Sequence, residues 1–131
     1  MEETRKFTVL IVEDSKTIRF MYKGVLANNG YSVLEAETGE DGWIKTVEMQ
    51  PDLVVLDLIL PDLHGLEVLK KIRTNEMTKD IPVLILSNIK DMQDVHKALN
   101  LGINYYGYKG NDSPQKILSM IQKILNKRDQ S

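Results

Sequence analysis

The sequence predicts an α/β domain in which a parallel β-sheet is covered by helices on both faces. Three short runs, residues 9–12, 53–56 and 83–86, consist entirely of apolar residues, which is typical of strands buried on both faces of a parallel sheet. Between these runs, apolar residues recur at the spacing of an amphipathic helix. Strands that alternate with helices in this way favour a doubly wound architecture.

Five strands and five helices are predicted, and residues with strong positional preferences support their ends. Gly30 follows the first helix and Pro51 follows the second, while Ser113 and Pro114 form a typical helix start. The predicted strands cover residues 7–12, 31–36, 53–57, 82–87 and 105–108. The predicted helices cover about residues 15–29, 39–50, 65–75, 91–101 and 114–125.

Two finer expectations concern packing. The strand at 31–36 is more polar than the others, and we expect it near an edge of the sheet. In the fourth helix, Met92, Val95 and Leu99 share one face. Their spacing predicts that all three side chains point inward.

Length and composition exclude several classes of protein. The chain has 131 residues, 42% of them hydrophobic and 27% charged, and we expect a single domain over residues 1–131 with its core at about residues 6–126. A net charge of -2 without basic runs argues against nucleic-acid binding. There is no cysteine for disulfides or thiolate metal sites. We expect a cytoplasmic protein, because no apolar stretch approaches the roughly 20 residues of a membrane span and residues 1–6 do not resemble a signal peptide.

Polar side chains follow the predicted strands at the points where the strands end. Glu13 and Asp14 come after the first strand, Asp57 ends the third and Ser87 ends the fourth. Right-handed crossovers leave few strand orders, and the order 2-1-3-4-5 makes the first and third strands neighbours. The three carboxylates would then meet at one edge of the sheet, and Lys109 lies just beyond the fifth strand at the same edge.

Such a cluster indicates a divalent cation and a phosphoryl group. Neighbouring carboxylates repel one another unless a cation neutralises them. An all-oxygen donor set favours Mg²⁺, with Mn²⁺ as a substitute, over zinc. One carboxylate of such a site can attack phosphorus to form an aspartyl phosphate. Lys109 and Ser87 would then stabilise the phosphoryl oxygens.

The pattern as a whole resembles a known family. The residues of this pattern, in chain order, are Glu13 and Asp14, Asp57 within the segment 51–73, Ser87 and Lys109. In this order and at these strand ends, they resemble the receiver domains of two-component response regulators, the chemotaxis receivers included. The resemblance covers about residues 6–125. It implies a flavodoxin-like fold and an Mg²⁺-dependent phosphoprotein that acts in a signalling phosphorelay.

The resemblance implies roles for the acidic residues. Asp57 would accept a phosphoryl group from a phosphohistidine on a histidine kinase or a histidine phosphotransfer protein. Glu13, Asp14 and Asp57 would hold Mg²⁺ together with the backbone carbonyl of Ile59. The chain would not be an enzyme beyond phosphorylating itself from phospho-donors and slowly losing the phosphate.

The resemblance also implies how phosphorylation is read out. Ser87 and Lys109 would engage the phosphoryl group, and Tyr106 matches the aromatic switch position. The readout surface would be formed by the fourth helix, the fifth strand and the fifth helix, and a downstream protein or a covalently linked output domain would bind it. For Tyr106, packing in an edge strand is the alternative. We expect a monomer or a weak dimer.

Some positions depart from the usual family pattern. Gly110 replaces the proline that normally follows the lysine, so we expect a trans peptide bond after Lys109. Asn88 stands where a very small residue is common, and it would crowd the phosphoryl group or hydrogen-bond to it. Ile59 and Ile89 would flank the route of an attacking water. Because apolar side chains do not orient water, slow self-dephosphorylation is expected.

The same residues leave three rival functions to consider. A haloacid-dehalogenase-like phosphatase would need an aspartate where Ile59 stands, and a flavodoxin-like nucleotide binder would need a phosphate loop where Glu13 and Asp14 stand. The third rival is a phosphorylation-independent receiver-like scaffold. The chain could be a stand-alone regulator or a receiver excised from a larger protein. Outside the pattern, His64 is interpreted as a surface residue and Asp62 as part of a turn.

Overall fold

The computed structural model describes residues 6–89 and 91–129; the charged start at residues 1–5 lies outside them, as do residues 90, 130 and 131. The strands are β1 (Thr8–Val12), β2 (Ser32–Ala36), β3 (Leu53–Leu56), β4 (Val83–Ser87) and β5 (Tyr105–Tyr108). The helices are α1 (Lys16–Ala27), α2 (Gly39–Met49), α3 (Gly65–Thr74), α4 (Met92–Leu101) and α5 (Pro114–Asp129). Within the described ranges, no helix has both the length and the apolar character of a membrane span.

The five strands form one parallel sheet in the order β2-β1-β3-β4-β5. This confirms the predicted strand order and the edge position of β2. Because β1 and β3 are neighbours in register, with Val12 opposite Leu56, the residues that follow them leave the sheet side by side. The carboxyl end of the sheet is therefore the place where the acidic residues can meet.

Each face of the sheet has its own apolar core. Successive residues of a strand point to opposite faces of the sheet. Leu10 of β1 belongs to the first core cluster, on one face, and Ile11 belongs to the second core cluster, on the other. Helices α3 and α4 contribute Ile72 and Ala98 to the first cluster. Helices α1 and α5 contribute Leu26 and Ile121 to the second cluster. The prediction of a sheet covered by helices on both faces is thus confirmed.

Polar side chains cap the amino ends of the helices. Ser15 accepts a hydrogen bond from the Ile18 amide at α1 (3.3 Å), and Thr38 does the same for α2. His64, predicted only as a surface residue, caps α3 because its Nδ1 accepts the Leu66 N–H at 3.1 Å. Each cap satisfies an amide that has no partner within its own helix.

The prediction for α4 is wrong for two of its three residues. Met92 and Leu99 are 61% and 57% exposed, while Ala98 is fully buried and Leu101 packs against the first core cluster. The helix turns the face that carries Ala98 toward the core. Helical spacing alone did not distinguish this face from the one that carries the larger side chains.

Candidate functional site

Three carboxylates meet at the carboxyl end of the sheet. Glu13 and Asp14 follow β1, and Asp57 follows β3. One carboxylate oxygen from each lies within 4.8 Å of those from the other two, with Glu13 and Asp57 buried and Asp14 exposed. The ends of two neighbouring parallel strands therefore bring together residues that are more than 40 positions apart.

Lys109 supplies the positive charge at this cluster. Its Nζ donates to Asp57 Oδ2 at 2.8 Å and also to Glu13 Oε1. Lys109 follows β5, and its backbone N–H donates to the Ser87 carbonyl at 3.1 Å. The lysine thus reaches the carboxylates from the far side of β4. Ion pairs as buried as these need close geometry to offset the loss of hydration.

The electrostatics of the cluster are set by burial and by the lysine. Burial raises the pKa of the Glu13 carboxyl above its ordinary value, although Lys109 and the Ser15 N–H act in the opposite direction. Burial alone would lower the pKa of Lys109, but its hydrogen bonds to Asp57 and Glu13 raise it. The ammonium therefore stays charged beside the two carboxylates that it contacts.

The donor set fits a hard divalent cation. The group consists of three carboxylate residues, so all the side-chain ligands that it offers are oxygen atoms. Asp14 is exposed, so an ion with several bound waters has access from solvent. The Ile59 N–H donates to Asp57 Oδ1 at 3.2 Å, which places the backbone of residue 59 beside the cluster.

A second group of predicted residues connects β4 and β5 next to the cluster. Ser87 is fully buried, and its Oγ accepts the Ile89 N–H at 3.4 Å. The Tyr106 hydroxyl donates to the Ile89 carbonyl at 2.9 Å. Tyr106 is half-buried and packs against the first core cluster. The loop after Ser87 is therefore held by Tyr106 of the neighbouring strand.

The remaining predicted positions surround the site. Ile59 is 57% exposed and Asn88 is exposed, while Ile89 is half-buried. The peptide bond between Lys109 and Gly110 is trans, as predicted, like the other peptide bonds of the described residues. Lys109 reaches the carboxylates without the proline that usually follows it.

We predict that Tyr106 makes the stability of the fold depend on alkaline pH. Burial, followed by the nearby Tyr108 and aspartates, raises the pKa of the Tyr106 phenol to about 12. The folded state holds this proton more tightly than the unfolded state. The stability that protonated Tyr106 contributes is therefore complete below the ordinary pKa of 10.0 and is lost as pH rises toward 12. Urea unfolding across this range should show a steeper loss of stability for the native chain than for Tyr106→Phe.

Tyr105→Phe provides a matched control from the same strand. It should keep the alkaline loss of the native chain, while Tyr106→Phe should also remove a tyrosinate absorbance step near the top of the titration. At neutral pH, Tyr106→Phe should cost about 1 kcal/mol through the lost hydrogen bond. Identical alkaline profiles for Tyr106→Phe and the native chain would contradict the assignment.

Two residues at this edge of the sheet were not found from the sequence. Arg19 is buried and its guanidinium contacts the backbone beside the acidic pair. Asp62, predicted to belong to a turn, accepts the Gly39 and Glu40 amides at 2.8 and 2.9 Å and so caps α2 from a distant loop. These hydrogen bonds lower the pKa of Asp62, the Glu40 amide having the largest effect. Neither role has a local sequence signal, since the partners lie far away in the chain.

Comparison with known proteins agrees with this geometry. Residues 9–122 match the family described as the response regulator receiver domain. The chain is 32% identical over 123 residues to the chemotaxis protein CheY1 of Helicobacter pylori, covering 92% of this chain and 98% of that protein. It is 34% identical over 121 residues to the DNA-binding dual master transcriptional regulator RpaA of Synechocystis, covering 92% of this chain and 50% of the regulator.

Solved structures show the same architecture. A CheY-like response regulator receiver domain protein from Methanospirillum hungatei aligns with a TM-score of 0.90 at 25% identity, covering 96% of this chain and 98% of that one. The chemotaxis response regulator CheY4 of Vibrio cholerae aligns with a TM-score of 0.84 at 26% identity, covering 92% of this chain and 100% of that one. The chain spans about half the length of the transcriptional regulators it matches. With the family match over most of its length and the matching fold, the chain belongs to the response regulator receiver domains of two-component signalling.

Proposed function

We propose that this receiver accepts a phosphoryl group on Asp57 from a phosphohistidine donor in an Mg²⁺-dependent reaction. The observation that carries the proposal is the surroundings of Asp57. This buried carboxylate clusters with two others and is contacted by Lys109 at 2.8 Å. A carboxylate held beside a cation in a largely water-excluded site is suited to attack phosphorus and to stabilise the product.

The transfer can be described in terms of the residues present. A carboxylate oxygen of Asp57 would attack the phosphorus and form an O–P bond, while the N–P bond of the phosphohistidine breaks and the imidazole nitrogen takes the electron pair. The Ile59 N–H and the Lys109 ammonium already contact the two oxygens of Asp57. After the transfer, the Lys109 ammonium would contact the negatively charged phosphoryl oxygens, and Ser87 would donate a hydrogen bond to one of them.

Glu13, Asp14 and Asp57 are the residues that would hold Mg²⁺, with the Ile59 carbonyl as a further ligand. When bound, the ion would neutralise charge on the transferring phosphoryl group. The charges of the cluster support this role, because three carboxylates face the single ammonium of Lys109 and a bound cation would balance the remaining negative charge. Mn²⁺ is expected to substitute, since it accepts the same oxygen ligands.

The signal would leave the site through the loop after β4. Ser87 and Tyr106 both contact the backbone of Ile89. A shift of Ser87 toward a phosphoryl group would therefore disturb the hydrogen bond that holds the Tyr106 hydroxyl. The face formed by α4, β5 and α5 would change shape, and a downstream protein or a linked output domain would read that change.

The proposed partners follow from this reaction. A histidine kinase or a histidine phosphotransfer protein would donate the phosphoryl group, and we expect the exchange to occur in the cytoplasm. The receiver would catalyse only its own phosphorylation and a slow loss of the phosphate. We propose no nucleic-acid or membrane contact for this domain, which would act as a monomer or a weak dimer.

Acetyl phosphate provides a direct test because it replaces the partner kinase. The native chain is incubated with acetyl phosphate in Mg²⁺ or in EDTA, and its intact mass is measured. One added phosphoryl group is expected in Mg²⁺, and none in EDTA. Peptide mapping after reduction of the acyl phosphate with borohydride should locate it at Asp57. Equal labelling in Mg²⁺ and EDTA would contradict the metal dependence.

Ile59→Asn should shorten the lifetime of the phosphorylated chain. Ile59 is exposed beside Asp57 and Ile89 is half-buried beside Ser87, so neither side chain offers a hydrogen bond to an attacking water. An amide at position 59 would orient that water, and we expect severalfold faster loss of phosphate. The decay is followed by intact mass after removal of acetyl phosphate. Exposed Ile44 on α2 serves as the control position, and Ile44→Asn should leave the decay unchanged.

A further inference from the structure

Arg19 is a buried charge next to the acidic pair that the phosphotransfer chemistry leaves unused. It lies on α1 and is only 5% exposed. Arginine is almost never buried unless its donors are satisfied. Its partners therefore indicate what it does in this fold.

The guanidinium contacts two consecutive backbone carbonyls. Its Nη1 donates to the Glu13 carbonyl at 2.7 Å and to the Asp14 carbonyl at 3.1 Å. Both residues lie just beyond the end of β1, where the Glu13 N–H still donates to the Ala36 carbonyl at the end of β2 at 3.0 Å. Holding two successive carbonyls on one nitrogen restrains both peptide planes, and with them the directions in which the two acidic side chains leave the backbone.

The other side of the guanidinium is anchored to the edge strand. Arg19 Nε donates to Glu35 at 3.3 Å, and Nη2 donates to Glu37 at 3.0 Å. Although burial acts in the opposite direction, Lys23 and Arg19 hold the pKa of Glu35 below its usual value. The arginine is thus fixed by β2 and its flanking loop, and its charge is balanced away from the acidic cluster.

We propose that Arg19 is a positioning residue for the cation site, acting through the backbone of Glu13 and Asp14. The inference rests on the proposed function insofar as these two residues hold Mg²⁺. Arg19 itself touches neither the ion nor the phosphoryl group in this account. It holds the loop after β1 in the shape that brings both acids to Asp57.

Charge and position predict opposite results when Arg19 is replaced. If Arg19 acted only through its positive charge, its loss would reduce repulsion of the incoming cation and tighten binding. If it positions the ligands, its loss would weaken binding. Residues that orient metal ligands typically change metal affinity by about tenfold or more. The sign of the change in affinity therefore separates the two roles.

The test measures cation binding without any phosphorylation. Mn²⁺ is titrated into the full chain and free Mn²⁺ is followed by its electron paramagnetic resonance signal. Arg19→Met removes the charge, and Arg19→Lys keeps it but cannot reproduce the planar fork of donors. We expect both variants to bind Mn²⁺ about tenfold more weakly than the native chain. Unchanged or tighter binding by either folded variant would overturn the proposal.

Arg73 provides a matched control elsewhere in the fold. Its guanidinium also holds backbone carbonyls, those of Gly102 at 2.9 Å and Ile81 at 2.7 Å, but it lies far from the cluster in the topology. Arg73→Lys should lose stability without losing Mn²⁺ affinity. A loss equal to that of Arg19→Lys would mean that general destabilisation explains the effect.

A measurement on the native chain decides the matter if both Arg19 variants fail to fold. On titration with Mg²⁺, the Nε–H resonance of Arg19 should shift together with the Asp14 amide, while that of Arg73 stays in place. A shift of the Asp14 amide without one at Arg19 would overturn the proposal. If the native chain bound neither Mn²⁺ nor Mg²⁺, the proposed cation site itself would fail, which is a different outcome.

Discussion

Replacing Asp57 by asparagine is expected to abolish phosphorylation by acetyl phosphate. The asparagine side chain has nearly the same shape, so the contacts with Lys109 and the Ile59 amide can be partly kept. Its amide, however, is a poor nucleophile toward phosphorus and cannot form the acyl phosphate. It also removes one of the three carboxylates that would hold the cation. Intact mass should show no added phosphoryl group under conditions that label the native chain.

Asp52→Asn is the control for this variant. Asp52 lies at the other end of the same strand, where its carboxylate accepts the Thr8 N–H at 2.8 Å. Its replacement removes an aspartate without touching the acidic cluster, and labelling should match that of the native chain. Labelling of Asp57→Asn to the native extent would place the acceptor elsewhere and reject the proposed function.

Gly65→Ala is expected to cause the largest loss of stability among single methyl additions. A Cβ at position 65 would lie 2.3 Å from the Asp57 carbonyl oxygen and 2.6 Å from the Leu58 Cα. Both are backbone atoms, so no side-chain rotation can relieve the clash. The Gly65 N–H also donates to the Leu58 carbonyl at 2.8 Å. We expect a loss of about 3 kcal/mol or more in the free energy of unfolding.

The same substitution should disturb the site, because the loop that must open carries Asp57 and Ile59. Cation affinity should fall along with stability, as measured by Mn²⁺ titration of the folded fraction. Gly24→Ala is the matched control: an added Cβ there meets nothing within 4 Å, and α1 should gain about 0.5–1 kcal/mol because alanine favours a helix. Equal stabilities of the two variants by urea unfolding would contradict this account.

Much of the fold could be predicted because local pattern and global topology agree. Solid apolar runs identified the central strands, and the alternation with helical spacing left few possible strand orders. The acidic pair and Asp57 could be placed together for the same reason, since the carboxyl ends of neighbouring parallel strands share one edge. Lys109 and Ser87 followed from the same argument.

The errors and omissions share one physical cause, which is that they depend on contacts between segments far apart in the chain. Whether Met92 or Ala98 of α4 faces the core is decided by how the helix packs against the rest of the fold, and the period of the helix does not specify that. The requirement for glycine at position 65 arises from a carbonyl that another part of the chain brings close. The caps that Asp62 provides for α2 join segments separated by more than 20 residues.

The amino-acid order alone thus fixed which elements form, which faces are apolar and which chemical groups stand at the strand ends. Those properties are local, because they depend on spacing and on the preferences of individual residues. The packed chain decided the rest: Arg19 reads in sequence as an ordinary polar residue of a helix, yet folding buries it against the Glu13 and Asp14 carbonyls. A buried charge must find its partners wherever the fold provides them, so only the assembled structure could identify them.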